Sequence, residues 1–152
     1  MYYLNKMQIS VNGIEALKEH EGFRSKAYLD TGDVWTIGYG TTRIRNIAVS
    51  KGMTCTIEQA TQWLYADVGD AQTAINTLVK EPLEQHQFDA LVSFVYNIGI
   101  GAFRSSTMLR LLNFGDYKGA AGQFKRWNKD NGRVIPGLVS RRSVEQSMFE
   151  GT

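Results

Sequence analysis

Apolar residues in this chain recur at two periods, and the switch between them divides it. From Ile57 to about Val79, the residues Ile57, Ala60, Leu64, Val68, Ala71, Ile75 and Leu78 fall near helical spacing, with no proline before Pro82. That spacing predicts one linking helix over about 57–80, more than ~30 Å long at ~1.5 Å per residue. Thr56 followed by Gln59 supplies a capping box for it. Gly69 sits in its middle, costs about 1 kcal/mol against alanine, and predicts a bend there. A first helix is predicted from Asn12, as N-cap with Glu15 at the third helical position, through Ile14 and Leu17 to Glu21. Gly22 ends it, since a glycine just past a helix adopts the left-handed conformation. After Pro82 the helical period returns over Leu83–Tyr96, Ser106–Asn113, Tyr117–Trp127 and Val139–Phe149, with Gly99, Gly101, Gly115, Gly132 and Gly137 as punctuation.

Between Ala27 and Ile47 the pattern shortens toward two. The segments "AYLD", "VWTIGYG" and "TRIRNI" are β-rich and partly alternating, and "DTGD" supplies turn residues between the first two. A small antiparallel sheet or hairpin is expected. The predicted class is α+β, mostly helical, with the sheet segregated near one end. The expected organisation is a single domain over 1–152. An N-terminal lobe covers about 8–56, the linking helix about 57–80, and a helical C-terminal lobe about 81–152.

Composition narrows the function classes. With 152 residues the chain can bury roughly two thirds of its unfolded surface, enough for a core without staples. The formal net charge is +2, too small for nucleic-acid binding driven by bulk charge but compatible with an anionic polymer. Cys55 is the single cysteine, so no internal disulfide can form, and a half-buried apolar role is expected for it. The two histidines, His20 and His86, are too few for a usual zinc site. There is no P-loop, no G-x-G-x-x-G and no G-x-S-x-G. No cofactor and no metal are therefore expected. "MYYLNKMQIS" has no apolar core or cleavage site for export, and no run approaches the ~20 apolar residues of a membrane span. A cytoplasmic chain without signal peptide or membrane anchor is expected, with Met7 as the natural start and Met1 to Lys6 a loose extension.

Candidate chemistry concentrates in "KEHEGFRSKAYLDTGDVWTIGYG", Lys18 to Gly40. Glu21 in the last turn of a helix faces the negative end of the dipole, an environment that favours holding a proton. Asp30 lies in a polar turn that favours the carboxylate. Cleavage of a glycosidic bond needs such a division, one carboxyl as acid and a second group to activate water or stabilise the sugar cation. Thr36, at the start of a strand, could hold a water on the Asp30 side. Read locally, the same residues are also a solvated helix-end acid, a turn-forming aspartate and a strand threonine.

Glu-x8-Asp-x5-Thr in "EGFRSKAYLDTGDVWTIGYG" resembles the phage-type lysozymes (endolysins) of glycoside hydrolase family 24. The segments "QFDALVSFVYNIGIGAFRSSTMLRLLNFGDY" and "FKRWNKDNGRVIPGLVSRRSVEQSMF" resemble the family's C-terminal lobe, so the likeness runs from about Gln8 to Phe149. It implies a lysozyme-like two-lobed fold. It also implies hydrolysis of the β-1,4 bond between N-acetylmuramic acid and N-acetylglucosamine in peptidoglycan. Glu21 falls on the general acid. Asp30 with Thr36 falls on the pair that positions the attacking water, with inversion at the anomeric carbon. Arg141 falls on an arginine that orients the acid; Arg142 is the alternative partner, or a solvated helix charge. Thr42, Tyr96, Asn97 and Ser106 fall on sugar-contacting positions, although Tyr96 could be core and Ser106 a helix cap. Trp35 and Trp127 are sugar platforms or core aromatics. The resemblance further implies a monomer that partners only peptidoglycan and reaches the wall through a phage-encoded holin. A lytic transglycosylase, or a non-catalytic wall-binding or virion module, are the alternatives. One departure stands out: the family's T-I-G-x-G-H reads "TIGYGTT" here, with Thr41 where a structural histidine is common.

Overall fold

The computed structural model describes residues 5–152. Its elements are α1 (Val11–Glu21), β1 (Arg24–Leu29), β2 (Trp35–Gly38), β3 (Arg43–Ile44), β4 (Ile47–Ala48), α2 (Ile57–Asp67), α3 (Gly69–Leu78), α4 (Gln85–Ile98), α5 (Ile100–Arg104), α6 (Thr107–Asn113), α7 (Tyr117–Ala121), β5 (Lys129–Asp130), β6 (Arg133–Val134) and α8 (Pro136–Glu150). The strands form three two-stranded antiparallel sheets, β1–β2, β3–β4 and β5–β6. The expected α+β class with a small N-terminal sheet is what the chain folds into.

The chain separates into two compact units, Ile14–Gly69 and Met1–Gly13 together with Asp70–Thr152. In the first unit, Ile14 and Leu17 of α1, Ile37 of β2 and Ala60 and Leu64 of α2 are buried to 1% exposure or less. The sheet approaches α2 so closely that a Cβ on Gly38 would lie 2.9 Å from Ala60 Cβ. In the second unit α4 and α8 frame an aromatic core. Phe94 meets Phe124 edge-on at 5.0 Å, Phe124 meets Phe149 at 5.6 Å, and Trp127 stands on Phe94 at 5.9 Å.

Several expectations change. The linking helix is not continuous: α2 ends at Asp67, its C-cap Val68 still donates to Leu64 O at 3.1 Å, and α3 restarts at Gly69. The apolar repeat stays in phase across that break, so periodicity alone did not reveal it. The first helix is capped by Ser10 rather than Asn12, since Ser10 Oγ accepts from Gly13 N at 3.1 Å. Residues before Gly13 belong with the second unit rather than the N-terminal lobe. Ser10 N donates to Asp89 Oδ1 at 2.9 Å, and Met7 N donates to Asn76 Oδ1 at 3.1 Å. Asn5 is buried, donating to Glu81 O at 2.9 Å and accepting from Leu83 N at 3.2 Å, so it is not part of a loose extension. Met1 to Leu4 lie outside the described residues. Finally, α5 and the β5–β6 hairpin have no counterpart in the expected elements, and the Tyr117–Trp127 segment shortens to α7 plus a 3-10 turn over Phe124–Arg126.

Candidate active site

In the first unit α1 delivers Glu21 as its last residue. Gly22, at φ +71°, then turns the chain back while its N–H caps Lys18 O at 2.9 Å. Glu21 is half-buried and its carboxylate lies against the loop that follows β2: a Cβ added to Gly40 would sit 3.6 Å from Glu21 Oε1. Ile37 and Thr41 exchange backbone hydrogen bonds of 2.8 and 2.9 Å, and this tight closure carries Gly40, at φ +92°, to that position.

Asp30 and Thr36 are joined through one residue of the β1–β2 loop. Asp30 Oδ1 accepts from Gly32 N at 2.8 Å and from Val34 N at 2.9 Å, an Asx turn that fixes the carboxylate plane. Val34 O in turn accepts from Asp30 N at 3.0 Å and from Thr36 Oγ1 at 2.9 Å. Thr36 is 4% exposed and stands opposite Tyr28 in the strand register. Thr42 is exposed, with its carbonyl accepting from Val49 N at 2.9 Å. Trp35 is half-buried beside Leu29.

Thr41 is fully buried, and its hydroxyl donates to Asp67 Oδ2 at 2.6 Å. Burial raises the Asp67 carboxyl above its ordinary range, and the Thr41 hydrogen bond opposes that rise. Position 41 therefore keeps a polar link to the end of α2 without a histidine. Cys55 is half-buried, as expected, and burial pushes its thiol up.

The second unit holds the other sites. Arg141, 8% exposed, donates from Nε to Glu145 Oε2 at 3.1 Å and from a terminal nitrogen to Ser93 O at 3.0 Å. Arg142 is not a solvated helix charge: it is 1% exposed. Its guanidinium donates to Trp127 O at 2.9 Å, to Glu145 Oε1 and to Asn97 Oδ1. Burial lowers its affinity for the proton, and Glu145 offsets only part of that fall. Glu145, itself 1% exposed, also accepts from Ser93 Oγ at 2.5 Å. Two guanidinium groups sharing this buried carboxylate offset the cost of removing its charge from water. Ser93 and Glu145 were missed in the sequence; the available signal was a glutamate three and four residues after two arginines on one helix.

Asn97 is exposed and Tyr96 half-buried on the last turn of α4. Asn97, Ile98, Trp127, Lys129, Asp130, Ile135, Leu138 and Arg142 line a concavity of about 570 Å³. Ser106 is buried. Its hydroxyl accepts from Leu109 N at 3.1 Å and donates to Phe103 O at 2.7 Å, the arrangement of an N-cap for α6. Among the described residues no cluster of three or more His, Cys, Asp or Glu could hold a metal ion, and no helix is long and apolar enough to cross a membrane.

Comparison with known proteins gives a consistent picture. Residues 18–145 match the phage lysozyme family. The chain is 44% identical over 148 residues to an endolysin of Acyrthosiphon pisum secondary endosymbiont phage 1, covering 95% of this chain and 99% of that one. It is 44% identical over 144 residues to the endolysin of Salmonella phage P22, covering 94% and 98%. Among solved structures, a P22 lysozyme variant superposes with TM-score 0.89 at 43% identity, covering 95% of this chain and 99% of that one. An endolysin from Escherichia coli O157:H7 phage FAHEc1 superposes with TM-score 0.91 at 41% identity, covering 97% and 96%.

Proposed function

The chain belongs to the phage lysozyme family of glycoside hydrolases, peptidoglycan-degrading enzymes, and on that premise we propose that it hydrolyses the β-1,4 bond between N-acetylmuramic acid and N-acetylglucosamine. Glu21 is the general acid that protonates the leaving oxygen. Asp30 and Thr36 position the attacking water on the opposite face of the sugar, and the anomeric carbon inverts. Arg141 orients the acid. Tyr96, Asn97 and Thr42 contact the glycan, and Ser106 acts as the α6 cap. The protein works as a monomer without a cofactor, and a phage-encoded holin admits it to the wall.

The observation that carries this reading is the Val34 link. It couples the Asp30 carboxylate and the Thr36 hydroxyl to a single carbonyl and its own amide, so both groups are pre-set before substrate arrives. Pre-set donors and acceptors lose little entropy on reaching the transition state, which is what water activation requires. Thr36 Oγ1 donates its proton to Val34 O, so its lone pairs are left to accept from a water.

The test is product analysis on purified peptidoglycan, reading the reducing end and the anomer together. Hydrolysis gives reducing N-acetylmuramic acid ends, and inversion gives the α anomer first. Anhydro-muramic ends would instead identify a lytic transglycosylase, in which the substrate's own hydroxyl attacks. Absence of any cleavage, together with equal clearing of permeabilised Gram-negative cells by the native chain and by Glu21→Gln, would leave only a binding module.

A further inference from the structure

The amide of Asn97 has a direction, and Arg142 sets it. A guanidinium has five N–H donors and no acceptor, so the side chain facing it must present oxygen. Arg142 donates to Asn97 Oδ1, and the Asn97 nitrogen is turned the other way. Arg142 has no freedom to release it. Its Nε is held by Trp127 O at 2.9 Å, its other terminal nitrogen by Glu145, and its Cζ lies 5.1 Å from the centre of the Phe94 ring. Glu145 is itself held by Ser93 Oγ and Arg141 Nε. Asn97 is exposed on the wall of the 570 Å³ concavity, and none of the described residues accepts a hydrogen bond from its Nδ2.

We propose that Arg142 is a specificity-determining positioning residue that presents Asn97 to the ligand as a donor only, so that this pocket takes an amide carbonyl oxygen of the glycan strand. This rests on the proposed function, because it is the peptidoglycan reading that supplies such carbonyls. They come from two sources, the acetamido groups of the sugars and the peptide stem. Ile98, Ile135, Leu138 and Trp127 line the same concavity. The exposed Lys129 and Asp130 complete that lining, so the wall is mixed, and the hydrogen bond from Asn97 orients a carbonyl that lies against the apolar residues. A ligand hydroxyl in its place must serve as acceptor.

Asn97→Asp and Asn97→Ala separate a donor from an acceptor. Aspartate keeps the shape of asparagine and its contact with Arg142, and the guanidinium keeps it ionised, but it offers the pocket an oxygen. Alanine offers nothing. Binding is measured by calorimetry in a Glu21→Gln background, so turnover does not enter. The probes are tetra-N-acetylchitotetraose and soluble muropeptide fragments that keep their stems. Affinity is expected to be highest with the native Asn97, lower in Asn97→Ala and lowest in Asn97→Asp, with the aspartate variant weaker than the alanine variant by roughly tenfold. That order with chitotetraose identifies the acetamido group; that order only with stem-bearing fragments identifies the stem. Aspartate equal to or tighter than alanine on both probes overturns the proposal, as does no measurable binding of either. Arg142→Lys cannot reach all three partners and is expected to weaken binding by a similar factor; native-strength binding by that variant overturns the role of Arg142. If it does not fold, the order at position 97 still decides. Should the native chain fail to cleave peptidoglycan while the order holds, the hydrolase reading falls and the donor assignment stands.

Discussion

The Thr41 hydroxyl donates to Asp67 Oδ2 at 2.6 Å from a fully buried position. The link spans 26 residues and ties the turn after β2 to the last residue of α2. Because burial raises the Asp67 carboxyl in the folded state, that carboxylate opposes folding at neutral pH. The opposition fades as pH falls through the raised value toward the unfolded value of about 4. Thr41→Val removes the donor and keeps the shape. It is expected to cost about 1–3 kcal/mol near pH 7. The deficit should shrink on acidification, because protonated Asp67 no longer needs the hydrogen bond. Urea titrations of both proteins at pH 7 and pH 4.5 measure this; a deficit that stays constant or grows toward acid would refute the assignment.

Substitutions at the three proposed catalytic positions should form a graded series in a cell-clearing assay. Glu21→Gln removes the acid, and a general acid is worth about 10²–10⁴-fold, so turnover should fall at least that far with folding intact. Asp30→Asn keeps an oxygen for the Gly32 and Val34 amides, so the turn survives while the chemistry suffers severely. Thr36→Ala should be clearly impaired but less so than either. Near-native turnover by the asparagine variant with an unchanged circular dichroism spectrum would remove Asp30 from the mechanism.

Gly13 is required by packing. A Cβ there would lie 2.7 Å from Asp89 Cγ and 2.7 Å from Ile9 Cγ1. Gly13→Ala gains helix propensity of about 1 kcal/mol, yet overpacking costs about 1–3 kcal/mol and also disturbs the Ser10–Asp89 pair. A net fall in Tm of roughly 2–8 °C is expected. A Tm at or above native would mean that the approach of Gly13 to Asp89 and Ile9 yields freely.

His86 gives stability a second pH dependence, of its own and distinct from that of Asp67. Its Nε2 meets Glu84 Oε2 at 2.8 Å and its Nδ1 meets Met148 O at 3.0 Å. The Glu84 hydrogen bond, more than any other influence, raises its pKa. The imidazolium donates to both partners, so its contribution is complete below the unfolded value of about 6.5 and is lost as pH rises through the folded value. The Tm gap between native and His86→Gln should be wider at pH 6 than at pH 8.5. An equal gap at both would show that only the neutral ring matters.

How much of this was legible depended on whether the signal was local. Gly22 and the Thr56–Gln59 box were readable because a cap is written within four residues. Glu21, Asp30 and Thr36 were readable as candidates for the same reason, though only resemblance separated them from an ordinary helix end and turn. The interruption at Val68 was hidden because the apolar repeat continues in phase through it. The β5–β6 hairpin was overlooked although Asn131 and Gly132, at φ 51° and 78°, form the dipeptide that favours such a turn; its exposed strands lack the alternation that marks a strand. The burial of Arg142 was not readable at all. It depends on Asn97, Trp127 and Phe94, which come from 15 to 48 residues earlier in the chain.

Gly40 has two hydrogens that are not equivalent, and the one an L-side chain would replace faces the Glu21 carboxylate. Handedness is therefore part of the design at this position. An L-residue would strain the backbone at φ +92° and also lay its side chain against the acid. A D-alanine, introduced by chemical ligation, would suit the same torsion and direct its methyl away. The mirror-image residue should thus be the conservative substitution, and the natural one the disruptive substitution.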